Sequence, residues 1–246
     1  MLTPMEDSRV TAPRLAGHVG ALAHVEEDLG ALIRREVDRL LPADWVWTGK
    51  RALDFGSGAG RALRHFADLV PHAAFWGCDV HGESIDWLNE HLAPMRGLMC
   101  GRAPGLPLDD GSLDLVWATS VFTSLTDHWS GWLHELHRLL APGGLLIAAC
   151  LGDDMRRAVE DAPWDAARAG MTVTAHDESF DAGGPKVLAS PWWTCARWRR
   201  TFDVVRVERS GFMGGHGVVV ARRRPDLATI AGVERETARM QGRTEP

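Results

Sequence analysis

Ala52-Leu53-Asp54-Phe55-Gly56-Ser57-Gly58-Ala59-Gly60-Arg61 is the stretch that decides the fold. An apolar run ends in an acidic residue, and glycine then takes every second position. A helical pattern follows at once, with Ala62, Leu63, Phe66, Ala67 and Val70 on one face. Strand, glycine turn and helix in that order bring bare backbone N–H groups to a helix N-terminus, where a ligand can lie against them. A Cβ in such a turn would block either the backbone conformation or the ligand's approach. The dinucleotide fingerprint is G-x-G-x-x-G, whereas here the sixth position is Arg61 and the spacing is D-x-G-x-G-x-G. Taken alone, the stretch also fits a tight turn that holds no ligand.

Working outward, strands and helices alternate. Strands are expected over residues 50–55, 74–78, 98–100, 113–118 and 145–150, and helices over 61–70, 83–92 and 128–140. Thr126 or Asp127 can cap the last of these helices, and Pro142-Gly143-Gly144 turns it into the next strand. Upstream, Leu22, Val25, Leu29, Ile33, Val37 and Leu40 recur every three or four residues, so residues 18–41 read as an amphipathic helix stopped by Pro42. Residues 152–200 break the rhythm and read as an extension between strands. Residues 202–208 and 217–222 then read as two strands joined by the glycine-rich segment 211–215.

This alternation argues an α/β fold, a doubly wound, Rossmann-like, mostly parallel sheet with an antiparallel edge strand. The expected organisation is one domain over residues 1–246. It comprises a helical cap at 15–42, a core at 50–151, the extension at 152–200, closing strands at 201–224 and a polar tail at 225–246.

Composition narrows the function classes. A formal net charge of -6 gives no global field favouring nucleic acid or an anionic membrane. No apolar run reaches the length of a spanning helix, and the first residues lack a basic-then-apolar leader, so a cytoplasmic protein is expected. The four cysteines, Cys78, Cys100, Cys150 and Cys195, form no C-x-x-C pair, so no metal site is expected. Tyrosine is absent, which removes one type of catalytic base.

Asp79 ends the second strand. A carboxylate there can accept both hydrogen bonds of a ribose diol, whichever nucleoside carries it. The choice between nucleosides comes from later segments. These are 104–116 (Pro104-Gly105-Leu106-Pro107-Leu108-Asp109-Asp110-Gly111-Ser112-Leu113-Asp114-Leu115-Val116), then Ser120-Val121-Phe122-Thr123-Ser124-Leu125, then Trp132 through Gly144. With Asp54, Gly56, Gly58 and Gly60 they resemble, in order, the class I S-adenosylmethionine-dependent methyltransferases, over about residues 50–150. The branch most resembled acts on small molecules in biosynthetic pathways.

The resemblance implies a seven-stranded sheet, S-adenosylmethionine as cofactor and a small-molecule acceptor as partner. A homodimer is compatible with it, whereas nucleic acid and membrane are not expected partners. It implies a cofactor loop formed by Gly56, Ser57, Gly58 and Gly60, with Asp54 at the cofactor's methionine end and Asp79 on the ribose. It also implies that Val80, Arg102, Ala103, Ser120, Val121 and Phe122 flank the adenine and the methyl group.

Two positions depart from the family's pattern. Arg102 stands where an acidic residue often reaches the adenine amino group, and Ser124 stands where the related branch often has histidine. They motivate an alternative, a methyltransferase-fold protein that binds without catalysing transfer. His128, just beyond the fourth strand, is the candidate base, with an exposed first-turn residue as the competing reading. His176 and His216 are candidate substrate-side groups. Asp153-Asp154 reads as a solvated loop pair before it reads as a metal site. Trp164, Trp192, Trp193 and Trp198 could line an acceptor pocket or pack a core.

Overall fold

The computed structural model describes residues 23–150, 170–174, 177, 185–213 and 215–224. Its centre is a seven-stranded sheet built from β1 (Arg51–Phe55), β2 (Ala74–Asp79), β3 (Arg96–Met99), β4 (Leu113–Ala118), β5 (Leu140–Cys150), β8 (Phe202–Phe212) and β9 (His216–Arg223). The order is β3-β2-β1-β4-β5-β9-β8. Strands β1 to β5 pair in parallel, and β9 runs antiparallel to both β5 and β8. β6 (Met171–Thr174) and β7 (Lys186–Ala189) form a separate antiparallel pair within the extension.

The sheet is buried on both faces, as a parallel sheet with crossover helices must be. In β4, Val116 and Ala118 face one core cluster while Leu115 and Trp117 face the other. The first cluster receives Trp132, Leu133 and Leu136 from α3 (Trp129–Leu139) and Trp198 from α4 (Pro191–Trp198). The second receives Ile33 and Val37 from α1 (Ala23–Leu40), Leu63 and Phe66 from a 3-10 helix (Leu63–Leu69), and Leu88 from α2 (Gly82–His91). Among the described residues no helix is long and apolar enough to cross a membrane.

Several local expectations need correction. The segment after the glycine turn is a 3-10 helix rather than an α-helix. Ala62 gives no side-chain cap, and Leu63, Phe66 and Leu69 recur every three residues, the spacing of the tighter helix. β3 begins two residues earlier than expected. β5 starts at Leu140, because that residue pairs with Leu113 before the Pro-Gly-Gly turn shifts the register. Neither Thr126 nor Asp127 caps α3. His128 precedes its first turn and makes no side-chain cap bond.

The strand order reverses at β1, whose chain continues to β2 on one side while β4 lies on the other. Ligands of open α/β sheets bind at such a switch point, beyond the C-terminal strand ends. The glycine turn after β1 and the loop after β4 face each other there.

Candidate cofactor site

The turn after β1 is built almost wholly from backbone. Gly56 N and Ser57 N both donate to the Cys78 carbonyl, at 2.8 and 3.0 Å, and Gly60 N donates to the Ser57 carbonyl at 2.9 Å. Gly56, Gly58 and Gly60 all lie at positive φ, at 84°, 52° and 80°. An L side chain adopts that region at a cost of roughly 1–2 kcal/mol. Space adds to the requirement. A Cβ on Gly56 would sit 2.2 Å from Val121 Cγ2, and one on Gly60 would sit 2.4 Å from Leu92 Cδ1. Ser57 is buried, and its hydroxyl donates to the Gly58 carbonyl at 3.1 Å.

Asp79 fastens this turn to the end of β2. Its Oδ2 accepts from Gly58 N at 2.8 Å and its Oδ1 from His81 N at 3.0 Å. Charge-assisted bonds of this kind are about twice as strong as neutral ones. An ionised carboxylate offers about four acceptor positions, so two remain for a ligand's hydroxyls. His81 N was not anticipated from the sequence. Its only local signal is Ser84, whose hydroxyl meets the His81 ring at 3.1 Å at the start of α2.

Asp54 lies beneath the turn, 3% exposed. Burial raises its pKa to about 8, the neighbouring Asp79 adds to the rise, and the Trp117 indole on β4 opposes it. Trp117 is the register partner of Asp54, yet its Nε1 makes no hydrogen bond of ordinary geometry, so its counter-effect is small. Among the described residues no cation pairs with Asp54. A cationic group arriving above the turn would favour its ionised form.

Across the crevice, Ser120 follows β4 with φ 59°, a left-handed conformation for a residue other than glycine. Such positions persist where the surroundings hold them, and they concentrate at ligand sites. The turn is held by Thr123 Oγ1 donating to the Ser120 carbonyl at 2.7 Å, and by Ser124 N and Leu125 N donating to the Val121 carbonyl at 2.9 and 3.1 Å. Val187 N from β7 donates to the Thr123 carbonyl at 2.7 Å and joins the extension to this turn.

The remaining expected residues divide into rim and core. Val80 is 49% exposed, and Arg102 and Ala103 are also exposed. The Trp132 indole donates to the Arg102 carbonyl at 2.9 Å and fixes that stretch of backbone. Phe122 is 8% exposed and packs between Phe55 and Trp198, with ring centroids 6.4 and 4.8 Å away, so its ring supports the turn from below. His128 is exposed. His216 is half-buried at the start of β9, and burial lowers its pKa. Trp193 meets Trp129 edge-on at 4.7 Å, Trp198 is buried and Trp192 is 59% exposed. Asp153, Asp154, Trp164 and His176 lie outside the described residues.

Residues 53–148 match a family model described as a methyltransferase domain. The match runs from β1 to β5, and over it the chain resembles the class I S-adenosylmethionine-dependent methyltransferases. The chain is 31% identical over 127 residues to a phthiotriol/phenolphthiotriol dimycocerosates methyltransferase from Mycobacterium ulcerans, covering 51% of this chain and 45% of that protein. It is 28% identical over 219 residues to a malonyl-[acyl-carrier protein] O-methyltransferase from Laribacter hongkongensis, covering 80% and 72%. The chain spans about half the length of the curated relatives matched first, at 45% and 55% of those proteins. A crystal structure of an S-adenosylmethionine-dependent methyltransferase from Mesorhizobium loti shares the fold, with TM-score 0.59, 19% identity, and 80% of this chain and 100% of that one covered.

The residues of the site fit the cofactor of that family, S-adenosylmethionine. The turn presents glycine backbone, Asp79 keeps acceptor positions, and Asp54 is a buried acid that pairs with no cation among the described residues.

Proposed function

We propose that this protein transfers the methyl group of S-adenosylmethionine to a small-molecule acceptor in a cytoplasmic biosynthetic pathway. The observation that carries this reading is the glycine turn locked at three positive φ values, with the Asp79 carboxylate bonded into it. A turn that only reversed the chain would not need a charged acceptor aimed at its centre.

The cofactor supplies an already activated sulfonium methyl, so the protein's work is placement. Gly56, Ser57, Gly58 and Gly60 give the methionine portion an approach to bare backbone. Asp54 stands below its cationic end. Asp79 takes the ribose hydroxyls on the acceptor positions left free by Gly58 N and His81 N. Val80, Arg102 and Ala103 form the rim beside the base, with backbone held by Trp132. The Ser120–Phe122 turn faces the transferred group, and the β6–β7 pair with α4 stands over the acceptor.

In-line alignment of acceptor, carbon and sulfur in a dry site can remove roughly 7–11 kcal/mol of barrier without a covalent role for the protein. A general base is required only for a hydroxyl or carbon acid, and His128 is the exposed candidate at the mouth of α3.

The test is tritium transfer from labelled S-adenosylmethionine into a panel of hydroxylated, amino and acyl-thioester acceptors, with Ser120→Pro as control. Turnover on a small molecule, lost in the control, supports the reading. Tight cofactor binding without turnover on any member contradicts it.

A further inference from the structure

Gly30 lies in the body of α1, where glycine costs about 1 kcal/mol relative to alanine. Unlike the glycines of the turn, it has helical backbone, so its conformation does not require glycine. Space does. A Cβ there would lie 2.4 Å from the Arg61 carbonyl oxygen and 2.6 Å from both Cδ2 and Nε2 of the His65 ring. Arg61 is the residue that follows the last glycine of the cofactor turn. The helix therefore meets the end of that turn backbone to backbone.

One helical turn later the contact is repeated by a different device. Arg34 Nη1 donates to the His65 carbonyl at 2.7 Å and to Asp68 Oδ1 at 2.9 Å, and its guanidinium lies 4.5 Å from the centre of the Phe66 ring. Ile33 and Val37 complete the seam in the core. The helix is thus fixed to the segment leaving the cofactor turn at successive levels, the nearest contact being the one closest to the turn.

We propose that Gly30, seconded by Arg34, is a positioning residue for S-adenosylmethionine. By admitting α1 to backbone contact with Arg61, it holds the exit of the glycine turn in its binding conformation, so that helix and turn receive the cofactor as one unit. The inference rests on the cofactor reading above. Neither residue touches the cofactor in this account; both act through Arg61 and the 3-10 helix.

The experiment is calorimetric titration with S-adenosylhomocysteine of wild type, Gly30→Ala, Gly30→Ala/His65→Ala and Arg34→Met. Each is measured at a temperature where circular dichroism shows the variant folded. Gly30→Ala is expected to weaken binding about tenfold, the size of a modest overpacking strain. The double variant removes the ring that the new methyl meets and is expected to recover part of that loss. Arg34→Met keeps a long apolar side chain but drops the guanidinium over Phe66 and the bonds to His65, Asp68 and Asp38, and it is expected to weaken binding about threefold.

Wild-type affinity in a folded Gly30→Ala protein would overturn the proposal and leave the cofactor reading standing. If Gly30→Ala does not fold, wild-type affinity in Arg34→Met overturns it equally. A wild-type protein that binds neither S-adenosylmethionine nor S-adenosylhomocysteine overturns the cofactor reading and this inference together.

Discussion

The two walls of the crevice are made differently. The β1–β2 wall is backbone and carboxylate: Gly56 N and Ser57 N on the Cys78 carbonyl, Gly58 N on Asp79, and Asp54 buried beneath. The wall beyond β4 is side-chain packing between distant segments: Trp129 on Trp193, Phe122 on Trp198, and one bond from Val187 to Thr123. The first wall has little freedom, because its shape follows from positive φ values and a charged acceptor. The second can be recut by changing an aromatic residue while the sheet stays intact. A cofactor shared by a whole family suits the first construction, and an acceptor that differs between members suits the second.

The comparison breaks most sharply where the walls touch. Gly56→Ala forces an L residue to φ 84° and drives its Cβ into Val121. It should cost about 3 kcal/mol of stability and abolish cofactor binding. Pairing it with Val121→Ala should restore part of the stability and little of the binding, because only the clash is relieved. Chemical denaturation of the single and double variants checks this.

A cut confined to the second wall should behave otherwise. Trp193→Ala removes the edge contact with Trp129 and should cost about 2 kcal/mol while leaving the cofactor affinity within twofold. Parallel denaturation and titration measure the two quantities.

The first wall should also carry a pH signature. Asp54 holds its proton to about pH 8 in the folded chain but releases it near 4 when unfolded. Between those values the folded state binds more protons, so stability should fall as pH rises, by at most about 1.4 kcal/mol per pH unit. His137 titrates near 4 in the folded chain, lowered mainly by burial, against an ordinary 6.5, so its contribution rises with pH in that lower range. Asp54→Asn should therefore flatten the decline between about pH 6.5 and 8 and leave the His137 rise unopposed in the lower range, as followed by melting temperature across pH.

The smallest effect is expected away from both walls. Arg39 bridges Glu36 and Glu208 at the surface, at 2.7 and 2.8 Å. Glu208→Gln should change stability by about 0.5 kcal/mol, diminishing with added salt.

The same contrast explains what the sequence could reveal. The first wall is local: glycine spacing, a strand-ending acid and a second acid lie in short stretches whose chemistry can be read directly. So can the parallel alternation that sets the sheet. The second wall is not local. Nothing near Thr123 announces that β7 will bond to its carbonyl, and nothing near Trp129 announces Trp193. Ser120 carries no sign of its left-handed backbone, since serine has no general preference for it. The 3-10 helix reads as α for a related reason: Ala62, Leu63, Phe66 and Val70 follow the α period, and only the missing cap and the leucine–phenylalanine–leucine triplet favour the tighter one. Nor does Gly30 announce its role within an amphipathic helix, because the need for glycine comes from the approach of the Arg61 carbonyl.

The most direct test of the account is calorimetric titration of the wild-type protein and of Asp79→Ala with S-adenosylmethionine and S-adenosylhomocysteine. The account predicts micromolar binding of both by the wild type. In Asp79→Ala it predicts a loss of about a hundredfold or more, since the substitution removes charge-assisted bonds to the turn as well as to the ribose. Equal affinity in the two proteins would contradict it.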